Sequence, residues 1–342
     1  MSKITITDVA RRANVSIKTV SRVVNGEPNV RDGTRERVQQ AILDLDYRPN
    51  PSARSLATQR SYLVALIYDD PDAYEAPSCG YVVNLQQGLL SACNARGFDL
   101  LIHPANYRDP KALENIAKMI AHARPEGVVL AAPLSNMPDV VATIEDSGTR
   151  LIRLSPGACA TGQFVETDDA EAAQAMTSYL ASLGHRRIAF VRGHAKHSAV
   201  QLRLSGYKAG LRASGLNLDP ALIVDGDNSI ASGEDAAAQL LALEQPPTAV
   251  FAANDDMAAG ILRTASRFGV NVPDQLSVAG FDDISLAQQI YPALTTVRQP
   301  LRAIAYRAGE MIIDDVQGTH EDNVIPAEIV VRESTAPLAR KH

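Results

Sequence analysis

From residue 62 onward, short apolar segments alternate with longer amphipathic segments, and this alternation limits the folds open to the chain. Strands that each lead into a helix predict a parallel sheet with helices on both faces. Two successive series, at 62–155 and 167–281, predict two such subdomains. The predicted strands are 62–68, 99–103, 127–131, 150–155, 187–192, 222–225, 249–252 and 277–281. The predicted helices are 82–96, 111–123, 138–146, 167–183, 199–214, 231–243 and 255–268.

Charge is distributed unevenly along the chain. Residues 1–60 carry eleven Lys and Arg side chains against six acids, a net charge of +5, whereas the remaining residues carry −11. A basic head on an acidic body is typical of a module that binds a polyanion. A solvated basic face without a ligand gives the same charge pattern, so charge alone leaves both interpretations open.

Composition excludes several other classes of protein. The longest apolar runs are about eight residues, well short of the ~20 that cross a bilayer, and the N-terminus lacks an apolar signal segment. The three cysteines are odd in number and form no CxxC motif, which argues against a disulfide framework or a structural metal site. The chain contains no GxSxG, HExxH or P-loop motif. We therefore expect a cytoplasmic protein with no membrane segment, no metal, no cofactor and no catalytic residues.

Two short helices separated by a tight turn are predicted within the basic head. Thr5 and Asp8 are spaced as a capping box, and Asn14 suits the left-handed backbone after a helix end. Ser16 then suits the cap of a second helix, which gives helix-turn-helix spacing, and a third helix is expected from about residue 32 to 45. An ordinary three-helix bundle with solvated basic residues is the alternative.

In a helix-turn-helix, the start of the second helix enters the major groove. The side chains there that can contact base edges are Ile17, Lys18 and Arg22. Arg22 can donate two hydrogen bonds to a guanine, whereas Ile17 can offer apolar contact. The side chains suited to phosphate oxygens are Ser16, Thr19, Ser21 and Asn25.

The motifs of the head make the interpretation specific. The runs Ile6-Thr-Asp-Val-Ala, Asn14-Val-Ser and Thr19-Val-Ser-Arg-Val-Val-Asn25 resemble the LacI/GalR family of transcription regulators. The resemblance implies that Ile17, Lys18 and Arg22 contact bases. This chain departs from the family where Arg31 replaces the usual Ser or Thr cap of the third helix, and we expect Asp32 to take over that cap.

The resemblance also implies a role for the segment that follows the third helix. Pro49 and Pro51 end the third helix. The amphipathic stretch that begins near Pro51 is too short to form a helix alone in water. In the family this segment is a hinge helix that pairs with its copy in the minor groove. Leu56 is then expected to wedge into a base step, with Asn50 and Ala53 close to the DNA. A plain linker is the alternative.

Further motifs extend the resemblance along the body, in the family's order and spacing. They include Leu183-Gly-His-Arg-Arg-Ile-Ala-Phe, Phe251-Ala-Ala-Asn-Asp255 and Val278-Ala-Gly-Phe-Asp-Asp283. The implied fold is an all-α helix-turn-helix headpiece with a hinge helix, joined to an α/β periplasmic-binding-protein-like core of two parallel-sheet subdomains. The expected domains are 1–48 for the headpiece, 49–60 for the hinge and 61–342 for the core, with an N-subdomain at about 61–162 and 296–323 and a C-subdomain at about 163–295 and 324–342.

Ligands of open parallel sheets bind at the carboxyl ends of the strands, which here form the cleft between the subdomains. The candidate effector-binding residues are Asp69, Asp70, Arg153, Ser155, Arg203, Asn254, Asp282 and Gln299. The resemblance assigns Arg203, Asn254, Asp282 and Gln299 to the effector, and such Arg, Asn and Asp side chains together suit hydroxyl groups. Two ambiguities stay open. Asn254 equally suits a helix cap, and Arg153 either pairs with Asp69 or Asp70 or contacts the effector.

The predicted function is a repressor of a carbohydrate-utilisation operon. Its partners would be a pseudo-palindromic double-stranded operator, bound as a homodimer, and a small-molecule effector, expected to be a sugar. A regulator gated by a purine, nucleoside or phosphorylated metabolite is the main alternative, and Arg153, Arg192 and Lys196 are the cations that favour it. A solute-binding protein shares the body but would lack residues 1–60.

Overall fold

A computed structural model describes residues 4–24, 28–47, 60–69, 80–157 and 162–338. The chain divides into two compact units, with the boundary between Ser61 and Tyr62. Several predictions concern positions outside the described residues. They are the hinge segment and the roles of Asn25, Asn50, Ala53, Leu56 and Asp70.

The first unit contains the three predicted helices, and its first two have the predicted ends. Asp8 accepts hydrogen bonds from the backbone N–H of Thr5 (3.0 Å) and from its hydroxyl (2.7 Å). Asn14 ends the first helix with φ 54°. The Ser16 hydroxyl accepts from the Thr19 N–H at 3.1 Å. The helices are α1 (Ile6–Ala13), α2 (Ile17–Val24) and α3 (Asp32–Asp44).

The predicted cap of α3 is wrong. Arg31 occupies the cap position, and Asp32 is the first residue inside the helix. A capping side chain must hang from a residue with non-helical backbone to reach the free N–H groups, and Asp32 already has helical geometry. Its carboxylate instead lies in the first turn, where negative charge interacts favourably with the helix dipole.

Small aliphatic side chains hold the three helices together. Val9, Val20 and Val38 are fully buried, one from each helix. Arg12 adds an ion pair to Asp44 at 2.7 Å, which links α1 to the end of α3. The core is small, so the unit depends on these few contacts.

The second unit contains two sheets, as predicted. In the described part of the chain the first sheet has the order β2-β1-β3-β4-β5 and the second β11-β10-β9-β8-β6-β7. All neighbouring strands are parallel except β10 and β11. The strands are β1 (Leu63–Asp69), β2 (Asp99–Ala105), β3 (Gly127–Leu130), β4 (Arg150–Leu154), β5 (Gln163–Val165), β6 (Ile188–Arg192), β7 (Ile223–Asp225), β8 (Ala249–Ala252), β9 (Ser277–Asp282), β10 (Thr295–Arg298) and β11 (Glu328–Val330).

Helices cover both faces of the two sheets. They are α4 (Gly80–Arg96), α5 (Ala112–Ala123), α6 (Pro138–Glu145), α7 (Asp169–Ser182), α8 (Ser198–Ala213), α9 (Ile230–Leu241), α10 (Asp255–Arg267), α11 (Ser285–Gln289), α12 (Leu301–Ile313) and α13 (His320–Asn323). Within the described ranges no helix is long and apolar enough to cross a membrane.

The chain crosses between the two sheets later than predicted at two places. The segment 163–165 pairs with β4 in the first sheet, so the first crossing lies at 166–168 rather than near 162. Thr295–Arg298 pairs with β9 in the second sheet, which moves the second crossing from about 295 to 299–300. The third crossing begins near Val324, as predicted, and it forms a parallel bridge with Glu166 of the first crossing.

Four aromatic side chains lie in the core of the second sheet. Phe190 stacks on Tyr207 with centroids 5.0 Å apart, and Phe251 lies between Phe190 and Phe281. The Tyr207 hydroxyl donates to the carbonyl of Ile188 at 2.8 Å, which satisfies its polar group inside the core. This arrangement fixes α8 against the strands whose ends form the candidate site.

Replacement of Gly206 tests the close packing of α8 on α7. A Cβ at this position would overlap the carbonyl oxygen of Ala170 and lie 2.8 Å from the Cβ of Ala173. Gly206→Ala should therefore lower the free energy of unfolding by about 1–3 kcal/mol, measured by urea denaturation. Ala213→Ser, at an exposed position of the same helix, is the control. An unchanged midpoint for Gly206→Ala would contradict the close approach.

Candidate functional site

The start of α2 presents an apolar and a cationic side chain on the surface. Ile17 is 49% exposed, and Lys18 is exposed beside it. Ser21 and Arg22 lie further along α2 and are half-buried. The Ser16 and Thr19 hydroxyls are within 2.9 Å of each other, so the residues expected to contact phosphate are also part of the helix cap. The surface has the composition expected of a helix that contacts DNA.

In the core, Arg203 of α8 connects the ends of several elements. Its Nε donates to Asp169 Oδ1 at 2.7 Å, and one terminal nitrogen donates to the carbonyl of Ala253 at 2.6 Å. The same nitrogen lies 3.4 Å from Asp282 Oδ1, and the guanidinium covers the ring of Phe281 at 3.7 Å. A buried cation held in this way has a fixed position and orientation.

Asp282 lies at the carboxyl end of β9 and is buried. Its backbone has φ 112°, which turns the chain sharply at the strand end. Burial raises the pKa of Asp282 to about 7, against the opposing effects of Arg203 and of the hydrogen bond that the Gln299 amide donates. The structure thus brings Arg203, Asp282 and Gln299 together, as the sequence predicted for the cleft.

A cavity of about 620 Å³ is lined by Asp282 and Gln299, whereas Arg203 is not among its lining residues. Asp282 and Gln299 lie on one side, and Asn84, Gln288 and Arg302 contribute further polar groups. The Arg302 Nε donates to Asn84 Oδ1 at 2.9 Å, so this wall includes α4 and α12 of the first subdomain. Polar groups and the apolar residues Pro300, Leu301 and Ala303 together line a space large enough for a small molecule.

Asp169, the ion-pair partner of Arg203, was absent from the predicted site, and so were Tyr81 and His197. Burial raises the pKa of Tyr81 above its usual range, and the carboxylates of Asp282 and Asp169 add to the effect. Burial lowers the pKa of His197 to about 3, helped by the nearby charges of His194 and Arg203. Tyr81 and His197 belong to no motif, and their proximity to Arg203 arises from the folding of α4 and α8 onto the same cleft.

Asn254 serves as a helix cap. Its side-chain oxygen accepts from the N–H of Met257 at 3.0 Å, and its side-chain nitrogen donates to the carbonyl of Asn228 at 2.9 Å. Both ends of the amide are therefore engaged within the protein. The structure supports the capping interpretation of this residue, which the sequence left open beside effector binding.

Arg153, Ser155 and Asp69 lie at the ends of strands of the first sheet. The Arg153 Nε donates to the carbonyl of Ser135 at 2.6 Å, and burial lowers the pKa of the guanidinium. Ser155 is buried and has φ 45°, and its carbonyl accepts from the Ser198 hydroxyl at 3.2 Å. Asp69 is half-buried at the end of β1. All three lie on the same edge of the first sheet.

The two other cations that favoured a phosphorylated ligand do not converge on Arg203. Arg192 pairs with Asp225 on the neighbouring strand β7. Lys196 lies over the ring of Tyr107, with its Nζ 4.5 Å from the centroid. In the described residues no group of three or more His, Cys, Asp or Glu side chains could hold a metal ion.

Hydrogen bonds link the two subdomains around residues 194–198. The Tyr107 hydroxyl lies 3.3 Å from His194 Nε2, and the Asn136 side chain donates to the carbonyl of Lys196 at 3.1 Å. The hydrogen bond from Ser198 to Ser155 lies close by in the chain. The loop 194–198 is thus held by the first subdomain at several points.

Comparison with known proteins identifies the family. The family model for bacterial regulatory proteins of the lacI family matches residues 5–50, and the model for a periplasmic binding protein-like domain matches residues 177–335. The chain is 31% identical over 343 residues to the HTH-type transcriptional regulator DegA of Bacillus subtilis (strain 168), covering 98% of this chain and 99% of DegA. The chain belongs to the LacI family of transcriptional regulators.

Solved structures agree with the assignment. The Lac repressor dimer bound to operator and the anti-inducer ONPF is similar with a TM-score of 0.79 and 26% identity, covering 98% of this chain and 100% of the repressor chain. The complex of the transcriptional regulator CelR with cellobiose is similar with a TM-score of 0.71 and 28% identity, over 97% and 100% of the two chains. The predicted family and fold class are confirmed, and the family consists of regulators rather than enzymes.

The pKa of Asp282 makes stability depend on pH. Because this pKa is about 7 in the folded protein against an ordinary 3.8, folding favours the protonated carboxyl. That contribution is fully present below pH 3.8 and is lost as the pH rises through about 7. The free energy of unfolding of the wild type minus that of Asp282→Asn should fall with rising pH in this window, by at most about 1.4 kcal/mol per pH unit.

The measurement is urea denaturation of both proteins across that pH range. Asp274→Asn, at an exposed position, is the control for loss of a carboxylate. A difference between wild type and Asp282→Asn that stays constant or rises with pH would show that the folded protein does not favour the protonated form.

Proposed function

We propose that this LacI-family regulator represses a carbohydrate-utilisation operon, and that a sugar bound around Arg203, Asp282 and Gln299 controls its affinity for the operator. The observation that carries the proposal is the buried set of a guanidinium, a carboxylate and an amide at the strand ends. A carboxylate accepts hydrogen bonds, a guanidinium donates them and an amide does both. This combination suits neighbouring hydroxyl groups of a sugar.

The complex of CelR with cellobiose supports a sugar, since that regulator is similar over nearly the whole chain. A nucleoside is the second candidate, because its ribose presents neighbouring hydroxyls and Tyr81 lies close to Arg203 and Asp282. A phosphorylated metabolite is less well supported, because a terminal nitrogen of Arg192 pairs with Asp225 and Lys196 lies over the ring of Tyr107.

At the operator, we expect α2 to enter the major groove with Ile17, Lys18 and Arg22 at the base edges. The hinge contacts of Asn50, Ala53 and Leu56 and the phosphate contact of Asn25 belong to the same proposal. Two half-sites require two headpieces, so the regulator is proposed to act as a homodimer, as the Lac repressor does on its operator. A cytoplasmic location follows from this role.

Control by the effector requires two states of the core. The three crossings at 166–168, 299–300 and near 324 allow the subdomains to rotate relative to each other. An effector shifts the balance between these states by its difference in affinity for them. Binding between Arg203 on one side and Tyr81 on the other is sensitive to that rotation, because the two residues belong to different subdomains.

Replacement of Arg22 tests the proposed contact between α2 and the bases of the operator. Selection of bound duplexes from a random pool should enrich a pseudo-palindrome, and Arg22→Ala should weaken binding to it by about 1–3 kcal/mol while relaxing the preference at one base position. The matched control is Arg37→Ala on the exposed face of α3, which should alter affinity without altering the selected sequence. Enrichment of the same sequence by Arg22→Ala would exclude Arg22 from base contact.

Replacement of Arg203 tests the proposed effector site. Arg203→Ala would leave Asp169 buried without its ion pair, so Arg203→Lys, which keeps the charge, is the better variant. It should lose the response of operator binding to a panel of uncharged sugars, sugar phosphates and nucleosides. Arg187→Lys is the control, because Arg187 bonds Gln245 and Asp219 at the opposite edge of the sheet. A response of Arg203→Lys equal to that of wild type would remove Arg203 from the site.

A further inference from the structure

One loop of the second subdomain, residues 194–198, is bonded to the first subdomain at three places. Its partners there are Tyr107, Asn136 and Ser155, which lie beyond the carboxyl ends of β2, β3 and β4. The three partners thus belong to three different connections of the first sheet. A rotation that lifts the loop from the first subdomain therefore breaks these hydrogen bonds together.

Tyr107 adds an aromatic contact to this loop. The Nζ of Lys196, which belongs to the opposite subdomain, lies 4.5 Å from the centroid of the Tyr107 ring. The guanidinium carbon of Arg108 is 5.8 Å from the same centroid, and the ring of His194 meets that of Tyr107 edge-on with centroids 6.2 Å apart. A cation is attracted to the face of an aromatic ring. The attraction between Lys196 and Tyr107 exists only while the subdomains keep this orientation.

Hydrogen bonds fix the position of the proton on His194. Its Nδ1 accepts from the backbone N–H of Lys196 at 3.3 Å. A neutral imidazole has one accepting and one donating nitrogen, so the proton is on Nε2, which donates to the Tyr107 hydroxyl. A second proton would have to occupy Nδ1, and two donors would then face each other. Protonation of His194 is therefore incompatible with this geometry of the loop.

The charges around His194 also oppose its protonation. Among the described residues, Lys196 and Arg108 flank the ring, the ring of His197 lies 5.9 Å away, and Asp227 is the nearby acid. Burial, together with the two cations, outweighs Asp227 and lowers the pKa of His194 from its ordinary 6.5. A loop released into solvent would regain the ordinary pKa. The bonded orientation is thus favoured above pH 6.5 and loses this advantage as the pH falls below it.

The backbones of the two subdomains approach each other closely at two places. A Cβ on Gly157 would lie 2.5 Å from the Cβ of Ser198, and a Cβ on Gly80 would lie 2.8 Å from the Cβ of Ile284. Glycine permits such an approach because it has no side chain. The subdomains have no room to move closer at these points, so the loss of the loop contacts would let them separate.

We propose that loop 194–198 and Tyr107 form a proton-sensitive latch, which holds the two subdomains together at neutral pH and releases them when His194 is protonated. The inference goes beyond the proposed function, because the latch requires neither effector nor operator. A ligand that prefers one of the two orientations then binds with an affinity that depends on pH. The latch is therefore a second input to the regulator, besides the effector.

The orientation of the subdomains can be measured in the full-length protein by pulsed electron paramagnetic resonance. Spin labels on genetically encoded amino acids at the exposed positions Lys111 and Gln201 lie on the two sides of the latch. Between about pH 7.5 and about pH 5, wild type should gain a severalfold larger population at a longer distance between the labels. His194→Gln, which cannot be protonated, should give the same distribution at both pH values. His122→Gln, at an exposed position of α5, is the control that should keep the wild-type response.

Replacement of Tyr107 tests the contact at a single pH. Tyr107→Leu should raise the population at the longer distance about two- to fivefold at neutral pH, as expected for the loss of a cation–π contact. Lys196→Met, which keeps the aliphatic stem, should have a similar effect, and Tyr107→Phe a smaller one. Tyr306→Leu is the matched control. Arg96 lies 5.7 Å from the Tyr306 ring centroid and donates to its hydroxyl, but both residues belong to the first subdomain.

Three outcomes would overturn the latch. The first is a distribution in Tyr107→Leu and Lys196→Met equal to that of wild type, and the second is an equal lengthening in Tyr306→Leu. The third is a wild-type distribution that does not change with pH. The labelled protein is measured without sugar or operator, so none of these outcomes bears on the proposed function. That function is tested separately by Arg203→Lys and Arg22→Ala.

Discussion

The arrangement of the core depends on one buried cation. Removing a guanidinium from water costs several kcal/mol unless carboxylates and carbonyl groups replace the lost hydration. For Arg203 these replacements come from the start of α7, the end of β8 and the end of β9, through Asp169, Ala253 and Asp282. The amide of Gln299, in the second crossing, joins the same cluster through Asp282. The position of each of these elements is therefore constrained by the others.

This cluster lies beside the connections between the subdomains. Asp169 follows the first crossing directly, and Gln299 lies within the second. The first and third crossings are hydrogen-bonded to each other through Glu166, whose N–H donates to Asn323 and whose carbonyl accepts from Ile325. A ligand that competes for Asp282 or Gln299 would thus act on the segments that connect the subdomains.

Much of the fold could be predicted because its signals are local. The capping box of Thr5 and Asp8, the left-handed Asn14 and the strand–helix alternation each depend on residues close together in sequence. The short strands β5 and β10 carry too few residues to show a period, so the crossings were placed several residues too early. The cap of α3 was misassigned because Asp32 and Arg31 differ by a single position, and backbone geometry decides which of them is the cap.

By itself, the sequence determined the family and predicted three members of the Arg203 cluster, Arg203, Asp282 and Gln299, because motifs and periodicity can be recognised in a single sequence. The tertiary structure alone decided that Asn254 is engaged as a cap, that Arg192 pairs with Asp225, and that Tyr81 and His197 lie near Arg203. Burial and the charges of neighbours distant in sequence set the protonation of Asp282 and His197. Such effects arise only when the chain has folded, since they depend on distances across space rather than along the sequence.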